Sequence, residues 1–301
     1  MSNSLLTPPP TDLPPIPFAQ LCEQAQAALP ADFATDASQV LVALDLDGTL
    51  LTESGASDRT RQAIADLRAA GAQVVIATGR GLAATTPVLP LLDFTDGWMV
   101  CSNGAALIRV EDGGCQVVRN LQFDPAPVIE TVWEHYPQAL IAVEDADGGY
   151  RISAEFPPRE LIESWELASR QELMGHPVTK LVVRIPGMDR DEFEQRMFAL
   201  GLQDVELAVG WTSWMDVAAR GVTKASGLER LRHELGVSER GTVAIGDGTN
   251  DIAMLRWAYH GVAMAGATQA VRQHANAVTG PVEYDGAAAV MQAVRQRLTG
   301  S

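Results

Sequence analysis

The sequence holds only three cysteines, Cys22, Cys101 and Cys115, and their spacing matches neither a disulfide framework nor a zinc site. It is also short of basic residues, since 22 Lys and Arg stand against 38 Asp and Glu for a formal net charge of −16. A surface with that charge repels nucleic-acid phosphates and anionic lipid. We therefore expect neither nucleic acid nor a membrane surface as a partner.

Long apolar runs are missing as well. The longest stretch without Asp, Glu, Lys or Arg is 257–271, only 15 residues, whereas a membrane-spanning helix needs about 20 apolar residues. The first charged residue is Asp12, so the N-terminus lacks the basic flank of a signal peptide. We expect a cytoplasmic protein without a transmembrane segment.

The 301 residues are 47% hydrophobic, which is enough for a sizeable core and favours two ordinary domains. Residues 1–37 differ from the rest because they hold seven of the 17 prolines and no Lys or Arg. Within them, apolar residues recur at helical spacing from Phe18 to Leu29. The pattern predicts a proline-rich tail followed by a short amphipathic helix.

Three buried strands are predicted early in the chain, and each ends in small polar residues. The apolar run 40–44 leads into Asp45-Leu46-Asp47-Gly48, 74–77 ends at Thr78-Gly79-Arg80, and 98–101 ends at Ser102-Asn103-Gly104. A helix over 58–70 separates the first two strands. This alternation predicts an α/β fold with a doubly wound parallel sheet whose carboxyl edge carries a site.

The middle of the chain has a different pattern, in which glycine turns alternate with strands. Further helices are predicted near 125–136, 158–174 and 190–200, and the α/β pattern returns with a helix over 224–235, a strand over 242–245 and a helix over 252–257. The predicted domains are a tail at 1–37, a discontinuous core at 38–107 and 206–301, and an inserted α+β cap at 108–205.

The Asp-x-Asp-Gly segment at Asp45 is by itself as consistent with an acidic turn as with a catalytic site. A calcium loop is excluded, because its closing Glu would fall at Ala56 and a strand precedes the segment. The second acidic segment, Asp247-x-x-Asn250-Asp251, has Ile252 where a calcium loop needs glycine. It also has Asp251 at the third glycine of a dinucleotide fingerprint, and no phosphate-cradling Gly-x-x-x-x-Gly-Lys motif occurs.

The set as a whole resembles the haloacid dehalogenase superfamily of phosphatases over about residues 40 to 290. The four motifs of that family read here 45-DLDGTL-50, 77-ATGR-80, 221-GVTK-224 and 246-GDGTND-251. The closer likeness is to its Cof-type group, through 102-SNGA-105, 250-NDIAML-255 and 261-GVAM-264. That resemblance implies a Rossmann-like core with an α/β cap inserted between the second and third motifs.

The resemblance also implies the site residues. Asp45 would be the nucleophile that forms an aspartyl-phosphate, and Asp47 the general acid and base. Thr78, Gly79, Lys224 and Asn250 would bind the phosphate. The Mg²⁺ ligands would be Asp45, the backbone carbonyl of Asp47, and Asp247, while Asp251 would orient Lys224 or a metal-bound water. Magnesium suits hard oxygen ligands and offsets the repulsion between carboxylates and a phosphate dianion.

The function expected from these residues is magnesium-dependent hydrolysis of a small phosphorylated metabolite, such as a sugar phosphate. A phosphomutase with the same core and a non-catalytic protein that binds a phosphorylated ligand remain alternatives, and the oligomeric state stays open. Only 30 residues separate Asp47 from Thr78, but 120 separate Asn103 from Lys224. The longer interval has room for a lid above Asp45, which favours small soluble substrates.

Overall fold

A computed structural model describes residues 13–158, 160–161, 164–210 and 212–300. The first twelve residues of the predicted tail lie outside this part. The strands within it are, in chain order, β1 (Leu41–Leu44), β2 (Gln73–Ala77), β3 (Gly97–Cys101), β4 (Ala106–Glu111), β5 (Gly114–Asn120), β6 (Leu140–Glu144), β7 (Tyr150–Ile152), β8 (Trp165–Leu167), β9 (Lys180–Arg184), β10 (Val205–Val209), β11 (Trp214–Ala219), β12 (Thr242–Gly246), β13 (His260–Ala263) and β14 (Ala277–Val278).

The α-helices of the described residues lie before, between and after these strands. They are α1 (Phe18–Ala28), α2 (Asp58–Ala69), α3 (Leu82–Thr85), α4 (Ala126–His135), α5 (Arg170–Met174), α6 (Arg190–Ala199), α7 (Lys224–Leu235), α8 (Ile252–Trp257), α9 (Gln269–Arg272) and α10 (Gly286–Thr299). None of them is both long and apolar enough to cross a membrane.

The larger sheet has eight strands in the order β14-β13-β12-β1-β2-β3-β4-β5. The strands from β14 to β3 pair in parallel, and β4 and β5 extend the edge as an antiparallel hairpin. In chain order the parallel strands follow the 3-2-1-4-5-6 arrangement of a doubly wound fold. The order reverses between β1 and β12, so the carboxyl ends of these two strands flank the crevice where such folds place a site.

Helices cover both faces of this sheet, which confirms the predicted doubly wound class. Alternate residues of β1 point to opposite sides: Val42 and Leu44 pack into one apolar core with α2 and α10, while Leu41 and Ala43 pack into a second core with α7, α8 and α9. A strand with both faces buried needs a continuous apolar run, and this is the pattern that the sequence shows.

The smaller sheet has six strands in the order β10-β11-β9-β6-β7-β8. We call the segment that builds it, residues 122–220, the insert. Strand pairing divides the chain at different points from the predicted 108 and 205, because the hairpin of β4 and β5 continues the large sheet and β10 and β11 belong to the small one. The local sequence marks these segments as strands but carries no signal for the sheet that each one joins.

One face of the small sheet is covered by α4, α5 and α6, and the other is turned toward the large sheet. Met215 and Val217 of β11 pack into the helix-covered core. Ala218, on the opposite face of β11, packs against Ala105, which lies in the loop between β3 and β4. The insert therefore lies against the carboxyl edge of the large sheet.

The predicted helix over 158–174 is wrong for most of its length. Residues 159, 162 and 163 of this range lie outside the described part of the chain. In the remainder the structure has the short strand β8, which pairs in parallel with β7, and a helix over Arg170–Met174. Ser169 caps that helix through a reciprocal pair of hydrogen bonds with Glu172. Strand pairing in the folded sheet overrides the helical pattern of apolar residues in this segment.

The short N-terminal helix is confirmed as α1. Its Leu21 and Cys22 are buried against Ala289 of α10. Phe18 packs partly against the large core and lies 4.2 Å from the guanidinium of Arg59, in cation–π contact. The helix therefore docks on the α2 and α10 side of the large sheet.

Candidate active site

Lys224 is the centre of a buried charged cluster at the carboxyl ends of β1 and β12. Its side chain is 0% exposed, and its Nζ donates to Asp45 Oδ1 and to Asp251 Oδ1, both at 2.6 Å. Asp45 follows β1 directly, and its backbone N–H still bonds to Ile245 of β12. The structure thus brings together the predicted nucleophile and the predicted phosphate-binding lysine, which are 179 residues apart in the chain.

The N-terminus of α7 fixes the position of Lys224. Thr223 caps this helix by accepting a hydrogen bond from Ser226 N–H, while Ser226 Oγ accepts one from Thr223 N–H. The loop after β3 lies directly against the cap, since a Cβ on Gly104 would stand 2.0 Å from the Thr223 carbonyl oxygen. Glycine at that position allows the two backbones to approach closely. The φ of 105° at residue 104 is a second reason for glycine there, because other residues rarely adopt it.

Asp251 is held by the turn that follows β12. Its Oδ2 accepts hydrogen bonds from the backbone N–H groups of Asp247 and Gly248, at 2.9 and 2.8 Å. A Cβ on Gly246 would collide with this carboxylate at 2.5 Å. Because both oxygens of Asp251 already have donors, its geometry suits the orientation of Lys224 better than direct ligation of a metal.

Asp45, Asp247 and Asp251 form an acidic cluster whose carboxylate oxygens lie within 4.8 Å of one another. Thr49 Oγ1 donates to Asp247 Oδ1 at 2.9 Å and fixes that carboxylate in the cluster. All three carboxylates are buried, and Lys224 is the cation that contacts two of them. The excess negative charge and the hard oxygen donors fit a divalent cation such as Mg²⁺.

The protonation of the cluster reflects this crowding. Burial, followed by the charge of Asp251, raises the pKa of Asp45 from 3.8 to about 7. Burial and the charge of Asp45 raise the pKa of Asp247 well above its usual value. Burial alone would lower the pKa of Lys224, but Asp251 and Asp45 hold it above its ordinary value, so the lysine stays charged. Without a metal, the cluster therefore retains protons that a cation would displace.

Asp47 does not join the acidic cluster with its side chain. Both of its carboxylate oxygens accept hydrogen bonds from Arg80, at 2.8 Å from Nε and 2.5 Å from Nη2. The pair is largely buried and bidentate, which makes it stronger than a surface ion pair. The carboxylate predicted to act as acid and base is thus held by the arginine of the second motif.

The predicted phosphate-binding residues of the second and fourth motifs meet beside Asn103. Thr78 is buried and its Oγ1 accepts the backbone N–H of Arg80 at 3.1 Å. Asn250 Nδ2 donates to Asn103 Oδ1 at 3.0 Å. A Cβ on Gly79 would lie 3.1 Å from that same oxygen, so the glycine lets the two loops approach closely.

The insert makes polar contacts with the same loops. Lys180 Nζ donates to the Gly79 carbonyl at 2.9 Å and lies 3.6 Å from Glu144. Glu144 in turn accepts from Ser102 Oγ at 2.9 Å. Thr249, in the fourth motif, donates its hydroxyl to the Val209 carbonyl of β10 at 2.9 Å. The insert thus contacts two of the loops that carry predicted site residues, and also the loop after β3.

Sequence reasoning missed several residues that shape this site. Thr49 and Arg80 lie inside the quoted motifs, and this position could have indicated a role in the site. The neighbouring sequence does not show that Thr49 contacts Asp247 or that Arg80 contacts Asp47. Asn103 also lies in a quoted segment and proves to join Asn250 to the insert. Lys180 and Glu144 carried no sequence signal, because an isolated Lys or Glu in a strand is usually solvated.

Comparison with known proteins places this site in a family. The model of the haloacid dehalogenase-like hydrolases matches residues 42–291. The pyridoxal phosphate phosphatase YbhA of Escherichia coli is 32% identical over 263 residues, which cover 80% of this chain and 93% of that protein. The 5-amino-6-(5-phospho-D-ribitylamino)uracil phosphatase YitU of Bacillus subtilis is 27% identical over 259 residues, with 82% and 94% covered.

A solved structure gives the same relationship. The phosphatase BT1666 from Bacteroides thetaiotaomicron superposes with a TM-score of 0.70 and 25% identity, and the match covers 88% of this chain and 99% of that one. The family model spans both halves of the large sheet and the insert between them. The chain therefore belongs to the haloacid dehalogenase-like hydrolases and is a phosphoric monoester hydrolase.

Proposed function

We propose that this protein is a magnesium-dependent phosphatase of small phosphorylated metabolites that works through an aspartyl-phosphate on Asp45. One observation carries the proposal: Asp45, Asp247, Asp251 and Lys224 converge in a buried cluster at the switch point between β1 and β12. A structural role alone gives no reason to bury three carboxylates around one ammonium, because the desolvation of such charges is costly.

Asp45 attacks the phosphorus, and the bond to the leaving oxygen breaks as the new P–O bond forms. Lys224 stays charged beside Asp45 and holds the phosphoryl oxygens as negative charge spreads over them. Thr78 and Asn250 face the same site from neighbouring loops and supply hydrogen bonds. Mg²⁺ held by Asp45, Asp247 and the backbone carbonyl of Asp47 would supply the positive charge that brings a dianion close to a carboxylate.

Asp47 donates a proton to the leaving alkoxide and then takes one from the water that hydrolyses the aspartyl-phosphate. In the structure Arg80 occupies both of its oxygens. Asp47 can reach the leaving oxygen or the attacking water only when this contact opens, so the arrival of substrate has to displace Arg80 from at least one oxygen.

The leaving group is small, because the insert closes over the carboxyl edge. Lys180, Glu144 and Val209 of the insert contact the loops that flank Asp45. The relatives YbhA and YitU are named as phosphatases of pyridoxal phosphate and of 5-amino-6-(5-phospho-D-ribitylamino)uracil, both small phosphate monoesters. A sugar or sugar-alcohol phosphate fits this range of sizes, and we propose that class as substrate.

Release of inorganic phosphate from a panel of sugar, polyol and pyridoxal phosphates, with and without Mg²⁺, tests the function. We expect release by the wild type only when Mg²⁺ is present, and none by Asp45→Asn. The matched control is Asp204→Asn, which removes one carboxylate from an exposed ion pair in the insert. Product analysis detects a phosphomutase, since an isomeric phosphate in place of inorganic phosphate would contradict the hydrolase assignment.

A further inference from the structure

The face of the small sheet that is opposite its helices is turned toward the site, and it carries a carboxylate among apolar residues. On β11, Trp214, Asp216 and Ala218 share this face, because the alternate residues Met215 and Val217 pack into the opposite core. Asp216 pairs across the sheet with Val182 of β9, which pairs in turn with Ala142 of β6. On its other side Asp216 pairs with Ala208 of β10. Asp216 therefore stands within an apolar row, where a carboxylate needs a polar partner.

The cations on this face are already matched by carboxylates. Lys180 lies beside Glu144 and donates to the Gly79 carbonyl. Arg184 forms a bidentate pair with Glu160, with both N···O distances at 2.6 Å. Asp216 has no ion pair with any residue that the structure describes. Glu206 of β10, which pairs with Ala218 of this face, also has no ion pair among the described residues, but it accepts the backbone N–H of Gly221 at 2.8 Å. Asp216 is thus the carboxylate without an ion pair on this face that contacts the loop after β3.

Hydrogen bonds connect Asp216 to the phosphate-binding loops. Its Oδ2 accepts from Asn103 Nδ2 at 2.9 Å, and its Oδ1 accepts from Trp214 Nε1 at 2.8 Å. Asn103 also accepts from Asn250, so Asp216 is two hydrogen bonds from a predicted phosphate ligand. A carboxylate has about four acceptor positions, and two of them remain for a further donor.

An apolar wall stands next to this carboxylate. The rings of Trp214 and Phe156 meet edge to face with centroids 5.8 Å apart, and both residues pack against the apolar cluster that contains Ala142 and Val182. Asp216 is only partly exposed, so its charge is less screened than that of a surface carboxylate. A ligand group placed here meets a carboxylate and carbon surfaces.

We propose that Asp216 determines leaving-group specificity: it accepts a hydrogen bond from a hydroxyl or ammonium group of the leaving group and rejects a leaving group with a second anion. This inference rests on the proposed function, since it takes the phosphate to lie between Lys224 and Asn250. A donor that binds Asp216 gains a charge-assisted hydrogen bond. A carboxylate or second phosphate at the same place meets like charge at short range.

Glycerol phosphate and phosphoglycerate form a matched pair of probes, because they differ mainly in a hydroxymethyl group against a carboxylate. Their affinities are to be measured by calorimetry with Mg²⁺ in the Asp45→Asn background, where turnover is blocked. The second protein carries Asp216→Asn as well, and the control carries Asp204→Asn, which removes a charge from the same insert at an exposed position. Turnover of both probes by the wild type and by Asp216→Asn is measured in parallel.

We expect Asp216 to favour glycerol phosphate over phosphoglycerate by about tenfold or more, and Asp216→Asn to reduce that ratio by about fivefold or more. Asp204→Asn should leave the ratio unchanged. An equal loss of affinity for both probes in Asp216→Asn would overturn the proposal, because it would mean that Asp216 only ties the insert to Asn103. Unchanged affinities would overturn it as well.

The proposed function is tested by the release of phosphate, whereas the role of Asp216 is tested by the preference between the two probes. If the wild type binds the two probes with the expected preference but releases no phosphate from any ester, the hydrolase chemistry is wrong while the specificity assignment stands. If the wild type hydrolyses both probes at equal rates and Asp216→Asn keeps that ratio, the hydrolase chemistry stands and the role of Asp216 is wrong. Absence of any binding of either probe contradicts both.

Discussion

Replacement of Asp45 by Asn should stop turnover and, at alkaline pH without metal, make the protein more stable. Burial and the charge of Asp251 raise the pKa of Asp45 from 3.8 to about 7. Because the unfolded chain releases this proton near pH 4, the folded protein binds more protons than the unfolded chain between about pH 4 and about pH 7. Stability therefore falls as the pH rises through that window, and the full cost remains above it.

The size of the effect follows from the shift. A rise of about three pKa units corresponds to about 4 kcal/mol between the two protonation states. An asparagine carries no charge, but it also weakens the 2.6 Å contact with Lys224 Nζ, which offsets part of the gain. We expect a net stabilisation of about 2 to 3 kcal/mol, or a rise in Tm of about 4 to 9 °C for a chain of this size.

Thermal unfolding followed by circular dichroism, with a chelator and at about pH 8 and about pH 5, measures this directly. The difference in Tm between Asp45→Asn and the wild type should be large at the higher pH and small at the lower one. Asp204→Asn, whose carboxylate is exposed, should show no such dependence. A variant that is less stable than the wild type at about pH 8 would refute the reasoning, and so would a difference that does not change with pH.

Three further outcomes are expected. Lys224→Met removes the ammonium shared by Asp45 and Asp251, so it should abolish turnover and destabilise the metal-free protein by about 3 to 5 kcal/mol; a Tm within about 2 °C of the wild type would contradict this. Asp47→Ala should slow turnover by roughly 10²- to 10⁴-fold while calorimetry finds Mg²⁺ affinity largely kept; loss of Mg²⁺ binding would show that the side chain is a ligand. Mg²⁺ should raise Tm more at about pH 8 than at about pH 5, because it binds deprotonated carboxylates; equal shifts would mean that the ion binds elsewhere.

The parallel core was predictable because its strands carry two local signals at once. The run 40–44 is apolar throughout, which indicates a strand buried on both faces, and the acidic turn that follows marks the carboxyl end. The helix from Lys224 to Leu235 begins and ends where its capping residues predict. Such signals lie within a few residues of the element they define.

The partners of the site residues could not be read in the same way. Asp45 and Lys224 are far apart in the chain, and their contact depends on which strands are neighbours in the sheet. Asp47 pairs with Arg80, which lies in the loop after the neighbouring strand β2. The strand over 214–219 has the apolar pattern of either sheet, and only its antiparallel pairing with β9 places it in the insert. Contacts of this kind depend on sheet topology, which a local pattern does not contain.

A covalent phosphoryl group on Asp45 would test the proposed mechanism most directly. Wild type and Asp47→Ala are mixed with a substrate and Mg²⁺, quenched in acid within the first turnover, and digested for mass spectrometry. We expect the peptide that contains Asp45 to gain the mass of one phosphoryl group, more strongly in Asp47→Ala, where hydrolysis of the intermediate is slow. Turnover without any phosphorylated peptide, or with the phosphoryl group on another residue, would contradict the assignment of Asp45 as the nucleophile.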